Sequence, residues 1–397
     1  MNIKSKVGRN GLVGLSLVQA GALLLAGCLS TSAQAGPTIP FNDQSYLTFS
    51  YALQMWGQSR GYTSATNSAS TSDFFLRRNR LIFNGQVNDY VGFFAQLEAG
   101  NDGYNGNNDK SVYYRDAYVT LDYTDPVRFI AGRFKNTFTR ENLEDCYGPL
   151  TLDRANWLAY SPWGGTRDTG VAMWGNLDNA KFQYRLMVAN GRDDGNVPKK
   201  NPRFTARVHW TFFDPEADYG YEGTYLGTKK VLTIGIAEDY QKDVAYTDFV
   251  TRSNPQNYKA STADFFYEQP FSSGTYTLSG AVMRYKTGNA INGISVDPLL
   301  PQTSELGGGY LKGAYMLPKK VGMGRLQFFA RHEKSDYHLN SGYGDQKWDS
   351  IGANYYIDGQ KLKITGELAK VKFDKQNPND PSQRDYNQAT IGLQFEF

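Results

Sequence analysis

Cysteine and histidine are almost missing from this chain of 397 residues, which has 2 Cys and 3 His. One cysteine, Cys28, sits in the N-terminal leader, so a disulfide framework is excluded. A single remaining thiol, Cys146, on an oxidising export route reads as incidental rather than catalytic. His209, His332 and His338 fall in no motif with Ser or Asp, so the residues offer no hydrolytic centre, no metal ligands and no cofactor site. Long apolar runs are also scarce. Beyond the first 29 residues nothing suggests a membrane helix, and the mean hydropathy is −0.54. Charge of one sign is lacking too. Of the 42 basic residues, Lys4, Lys6 and Arg9 lie in the leader, which leaves 39 against 39 acidic ones. A bulk attraction for nucleic acid is therefore not supported.

The leader itself has the layout of an export signal. Lys4, Lys6 and Arg9 precede an uncharged stretch from Gly11 to Leu29, and Ala33-Gln34-Ala35 is a small-x-small cleavage site. Residues 1–35 are thus expected to be a signal peptide, followed by one domain over 36–397. Two alternatives stay open. Leu25-Ala26-Gly27-Cys28 also fits a lipobox, in which Cys28 would be lipidated, and an uncleaved anchor has nearly the length to span a bilayer.

What is abundant is 28 Tyr, 23 Phe and 41 Gly, set in period-two runs. At the C-terminus Ala389, Ile391, Leu393, Phe395 and Phe397 alternate with Gln388, Thr390, Gly392, Gln394 and Glu396. That is a strand with one apolar and one wet face. Phe204, Ala206, Val208, Trp210 and Phe212 alternate with Arg203, Thr205, Arg207, His209 and Thr211. Two arginines and a histidine require their face to be hydrated. The pattern recurs from Leu47 to Leu368 and predicts about sixteen antiparallel strands closing into a transmembrane β-barrel, polar on average because only alternate residues meet lipid. Phe395 and Phe397 resemble the C-terminal signal of bacterial outer-membrane barrels. That resemblance implies recognition by the barrel-assembly machinery, outer-membrane lipid around the wall and a bacterial outer-membrane location.

Connections alternate in length. Short turns are expected at Asn88-Asp89, Thr124 to Pro126, Asp178-Asn179, Pro270 to Gly274, Pro318 to Gly324 and Asp358-Gly359. Long ones are expected at Gly57 to Asp73, Gly100 to Asp109, Asn136 to Asp168, Gly191 to Pro202, Lys242 to Lys259, Thr287 to Glu305, Lys334 to Gln346 and Lys372 to Asp385. This is the signature of periplasmic turns and extracellular loops. Asp214 to Thr228 is long where a turn should be, which means either an extended turn or a miscounted strand.

The third long connection is the longest and carries Arg140, Glu141, Glu144, Asp145, Asp153, Arg154, Arg167 and Asp168, with Pro149, Trp157, Pro162 and Trp163 suggesting a packed segment. Folded into the barrel, it would set a transverse field at a constriction; as a solvated outer loop it would have no part in transport. Basic residues of inward parity are Arg78, Arg80, Arg203, Arg207, Arg325, Arg331 and Lys363, partly offset by Glu98, Asp116, Asp122, Glu333 and Glu367. They would either draw anions through or form salt-bridge networks on the wall.

Arg77-Arg78 leading to Leu81 and Gly85, Arg115-Asp116-Ala117-Tyr118, Gly132-Arg133-Phe134-Lys135, Arg167-Asp168-Thr169-Gly170-Val171 and Asn190-Gly191 occur in this order. In them the chain resembles the phosphate-selective porin O and P family. The resemblance implies a sixteen-stranded, homotrimeric outer-membrane channel that passes small ions and solutes, with phosphate preference among its properties. The chain departs from the family at Asn136, where a proline commonly follows the lysine. Two other classes were weighed: a secreted or lipid-anchored polysaccharide-binding β protein, which leaves the aromatic terminus and the alternating connections unexplained, and an outer-membrane barrel enzyme, for which no nucleophile and base pair is visible.

Overall fold

The computed structural model describes residues 36–62, 69–99, 111–156, 165–300, 306–336, 343–378, 380 and 383–397. The leader with its processing sites, Gly100 to Asp109, Trp157, Pro162, Trp163 and His338 lie outside the described residues. A short strand, β1 (Thr38–Pro40), precedes sixteen long ones. These are β2 (Tyr46–Arg60), β3 (Thr71–Gln86), β4 (Val91–Ala99), β5 (Val112–Thr124), β6 (Val127–Lys135), β7 (Arg167–Leu177), β8 (Phe182–Ala189) and β9 (Arg203–Thr211). Then come β10 (Val231–Asp248), β11 (Ser253–Phe271), β12 (Gly274–Lys286), β13 (Leu306–Met316), β14 (Arg325–Asp336), β15 (Gln346–Asp358), β16 (Leu362–Phe373) and β17 (Tyr386–Glu396).

Every strand from β2 to β17 pairs antiparallel with the next, and β17 pairs with β2 from Gln388↔Arg60 to Glu396↔Ala52, so the sheet closes on itself. Closure leaves no unpaired edge, as a lipid environment demands. The first and last segments share the remaining edge of β2. Tyr51 and Phe397 exchange backbone hydrogen bonds of 2.8 and 2.9 Å, and just beyond them Thr38 faces Thr48.

The two faces invert the rule for soluble proteins. Outward-facing apolar side chains are open, with Val282 62 %, Ile351 63 % and Ile391 58 % exposed, whereas Arg80, Glu98, Arg203 and Lys312 on the inner face are buried. Charge sits inside because an aqueous or hydrogen-bonded interior can satisfy it and hydrocarbon cannot. Tyrosines at the short-turn end serve the boundary with their polar tips. The Tyr184 hydroxyl donates to the Pro126 carbonyl at 2.8 Å and the Tyr355 hydroxyl to Val321 at 2.7 Å.

Two glycines of the motifs noted above are required by geometry. Gly132 has φ 134°, and a Cβ there would lie 2.3 Å from the Ala117 carbonyl oxygen; at Gly191, φ 64°, it would lie 2.3 Å from Gln241 Oε1.

Expectation and structure differ in two places, and at a third the structure chooses between two readings left open. Lys242 to Lys259 is mostly strand: β10 and β11 continue through it as a hairpin with a bulge between Gln241 and Ala245, leaving only 249–252 outside the strands. Its inner face packs Val244, Ala245 and Tyr258 against Ala290 and Leu300, but Lys242, Asp243 and Asp248 interrupt any period-two apolar run, so its sequence reads as loop. Arg167 and Asp168 open β7 rather than belonging to the third long connection. Finally, 212–230 is a true extended connection between β9 and β10 at the short-turn end, and the strand count was sound.

Candidate functional site

The segment following β6 organises itself from local side chains. Asn136 Oδ1 accepts from the Phe138 amide at 2.8 Å, which turns the chain where the family pattern has proline. Thr139 then caps a single helical turn, α1 (Arg140–Leu143), accepting from the Asn142 amide at 3.0 Å. Asn142 Nδ2 donates to the carbonyls of Asn136 at 2.7 Å and Thr166 at 2.9 Å, tying the turn to both feet of the loop.

The same segment bonds to inward-facing side chains from separate parts of the wall. Lys363 on β16 and Gln394 on β17 donate to the Tyr147 carbonyl at 3.0 and 2.8 Å, and Asn354 on β15 donates to Leu150 at 2.9 Å. Arg78 on β3 reaches Asp153 at 2.8 Å, joined there by Arg77 at 2.9 Å. Lys312 on β13 pairs with Glu141, and Arg207 on β9 reaches the Phe138 carbonyl at 3.5 Å.

From the other end of the barrel, 212–230 meets this segment. Arg140 forms a two-pronged pair with Glu216 at 2.8 and 2.7 Å, and its guanidinium lies 4.3 Å from the ring centres of both Tyr221 and Phe266. Main-chain bonds run from Asp145 to Tyr221 at 2.9 Å, Tyr221 to Leu143 at 3.2 Å and Gly223 to Gly148 at 3.1 Å. The Tyr221 hydroxyl gathers Arg185 at 2.7 Å, Arg207 at 3.2 Å and His209 Nδ1 at 2.6 Å. Beside this contact lies a cavity of about 80 Å³. Its charged lining comprises Arg80, Lys135 and Arg167 together with Asp116, Asp145, Asp218, Glu222 and Glu396; Cys146 and Tyr147 complete that side.

The charges of the two connections respond to their partners. Burial alone would push the Glu141 carboxyl up, but Lys312 beside it holds it below the ordinary carboxylate range. Glu216, equally buried, is held down to about 2 by Arg140. Asp153 is held lower still by Arg78 and Arg77. Glu144 behaves oppositely. Burial and then the neighbouring Glu141 push it up to about 8, because its contact with Arg140 Nε is long, at 3.8 Å. Glu222 is raised well above its ordinary value by burial and by Asp145. The Cys146 thiol, despite burial, is lowered by Arg154, Arg80, Lys135 and Arg78 around it.

Of the residues singled out from sequence, Arg140, Glu141, Glu144, Asp153 and Arg154 are gathered against the wall and largely bonded, and Asp145 lines the cavity. Arg80 pairs with Glu98, Arg203 with Asp239, Arg207 with Asp264, and Arg331 with Glu333 and Glu367, while Arg325 donates to the Leu226 carbonyl. The inward basic residues thus form a wall network. Phe395 and Phe397 face outward at the end of the closing strand, 41 % and 51 % exposed. Sequence reasoning missed Arg185, Lys312, Glu216, Tyr221 and Glu222. Arg185 and Lys312 have inward parity beside Leu186 and Leu311 and were open to the same argument; the three residues of 212–230 carry no periodicity that would mark them.

The family model described as phosphate-selective porin O and P matches residues 49–397. Among curated proteins, none matches the chain by sequence. Solved structures similar to it include an anion-selective porin from Comamonas acidovorans, at 10% identity and a TM-score of 0.59, the match covering 89% of this chain and 100% of that one. A Salmonella typhi OmpF complex with daunomycin shares 13% identity with a TM-score of 0.56, over 91% and 100% of the two chains. OmpT of Vibrio cholerae in a trimer form shares 13% with a TM-score of 0.52, over 89% and 100%. At these identities the structures speak for the fold.

Proposed function

The chain belongs to the phosphate-selective porin O and P family and is an outer-membrane channel for passive diffusion; from that premise we propose that its passage is narrowed by 136–156 and 212–230 together and favours small anions. Family and fold indicate a channel rather than an enzyme. The observation that carries the anion preference is the lining of the internal cavity. Arg80, Lys135 and Arg167 face it alongside Asp116, Asp145, Asp218, Glu222 and Glu396, and of these acids Glu222 is raised well above its ordinary value by burial and by Asp145, which weakens the negative side of the lining. Cations lining a narrow passage attract anions and raise their local concentration.

Planar-bilayer recording across a salt gradient tests this. Stepwise conductance with an anion-selective reversal potential at pH 6 is expected, and block by low phosphate would extend the preference to that anion. Cation selectivity at pH 6 would refute it.

Further proposals concern export and assembly. The leader is cut after Ala35, with lipidation at Cys28 as the alternative, and the N-terminal mass of the exported protein decides between them. A homotrimer follows from the family resemblance and is supported by the trimer form of the Vibrio cholerae neighbour; mass measurement in detergent tests it. Phe397 serves as the signal to the assembly machinery, so its deletion is expected to leave export intact and to reduce membrane assembly severalfold. Normal assembly without it would remove that role.

A further inference from the structure

Two rows of like charges lie at the long-loop end of the outward face, and they are not equivalent. In the first, Lys334, Lys347 and Lys372 stand directly opposite one another across β14, β15 and β16. Such neighbours repel, but this row supplies its own counter-charges: Asp336 lies 2.9 Å from Lys334 and Asp374 2.8 Å from Lys347. In the second, Lys259 on β11 stands opposite Lys286 on β12, and Arg284 stands opposite Ser261 two residues nearer the apolar band. All three cations are exposed, and none has an ion-pair partner among the described residues. The acid on the adjoining strand is Glu238, which faces Ser261 and leaves the group net positive. A cross-strand lysine pair without an internal counter-charge is relieved by an anion from outside.

Beside the second row, on the β6 to β10 side of Lys259, the wall changes character. An apolar groove of about 730 Å³ runs past Phe129, Val171, Leu186 and Phe204 and ends against Glu238, Tyr240 and Lys259. Tyr240 is the Cα partner of Lys259, so the groove's upper end is marked by a phenol and an ammonium group side by side. Glu238 and Lys259 share that end of the groove, and Lys286 and Arg284 beyond it bring the added positive charge, so an apolar slot with a net cationic flank matches an acyl chain beside a negatively charged headgroup.

We propose that Lys259, Lys286 and Arg284 hold the phosphate of an anionic lipid in the outer leaflet, its chains lying in the groove that ends at Lys259. The inference rests on the outward face being the lipid-facing one, as the channel reading requires.

Native mass spectrometry of the intact detergent-solubilised protein, titrated with diphosphorylated lipid A and with its dephosphorylated form, measures this directly. The wild type is expected to prefer the phosphorylated probe. Each surface lysine contributes roughly fivefold to such binding, so K259Q/K286Q should lose about 25-fold of that preference. K259R/K286R should keep it, and K347Q/K372Q, drawn from the self-neutralised row, should leave it unchanged. An undiminished preference in K259Q/K286Q, or displacement of the lipid by inorganic phosphate alone, would overturn the proposal. The bilayer conductance of K259Q/K286Q separates the two readings: a channel that conducts normally but has lost the lipid preference supports both, whereas a wild type that never conducts removes the channel reading itself.

Discussion

The third long connection and the β9–β10 connection touch each other, yet they are held in place in different ways. Segment 136–156 carries its own scaffold: the Asn136 turn, the Thr139 cap and the Asn142 clamps would shape it before it met the wall. Residues 212–230 have a local turn of their own, in which the Leu226 amide donates to Thr224 Oγ1 at 3.1 Å and Thr228 Oγ1 to the Tyr225 carbonyl at 2.7 Å, but the stretch from Glu216 to Gly227 leans on the wall. Gln183 donates to the carbonyls of Glu216 and Ala217 at 3.3 and 3.2 Å, and Arg185 binds the Tyr219 carbonyl at 2.8 Å. Glu268 accepts from the Thr224 hydroxyl at 2.8 Å and the Gly227 amide at 2.8 Å. The lesson is about order of assembly. A self-capped segment is expected to dock as a preformed part, whereas a segment held largely by wall side chains is expected to settle after the barrel has closed around it.

The largest test of that contrast is Glu216→Ala. It leaves Arg140 buried between two aromatic rings without its two-pronged partner, and breaking a buried pair from one side costs about 3–5 kcal/mol. Hydrogen exchange is the measurement that bears on the comparison. The amides of 212–225 are expected to lose most of their protection, whereas those of 139–143, supported by the Thr139 cap, lose less. Equal loss in both segments would erase the distinction and make them one cooperative unit.

The barrel was legible because period two is a strict constraint: Phe204 and Arg203 cannot share a face, and closure through β17 follows from the alternation that ends at Phe397. The connection lengths carried the ends of most strands for the same reason, since short turns must join neighbours directly. The limits of this reading are equally physical. Between Lys242 and Lys259 the hairpin leaves the apolar band, so the alternation of apolar and polar residues fades while the hydrogen-bond ladder continues. The ion pairs of the wall were foreseen only as a possibility, because parity says that Arg207 points inward but not that Asp264, 57 residues on, lies 2.7 Å from it. Glu216 and Tyr221 gave no signal at all. Their position depends on a chain that is shaped by its surroundings.

A smaller test asks whether the meeting of the two segments also sets the charge of the passage. Glu144 comes from one segment and Glu222 from the other, and both carboxyls have folded values above the ordinary one, Glu144 at about 8. A raised carboxyl value means that the folded state holds the proton more tightly than the unfolded chain. Stability from this source is therefore greatest at acidic pH and falls as the pH climbs from the unfolded value towards 8. Over the upper part of that window Glu144 ionises in place and adds negative charge where the two segments meet. A unit charge about 8 Å from a passing ion, in surroundings close to water, is worth roughly 0.5 kcal/mol, or about a twofold change in relative permeability. Reversal potentials measured from pH 6 to pH 9 should accordingly show anion preference declining about twofold across pH 8, with E144Q flattening the decline. If E144Q still shows the full decline, the titrating group lies elsewhere and Glu144 at the junction of the two segments is electrically silent.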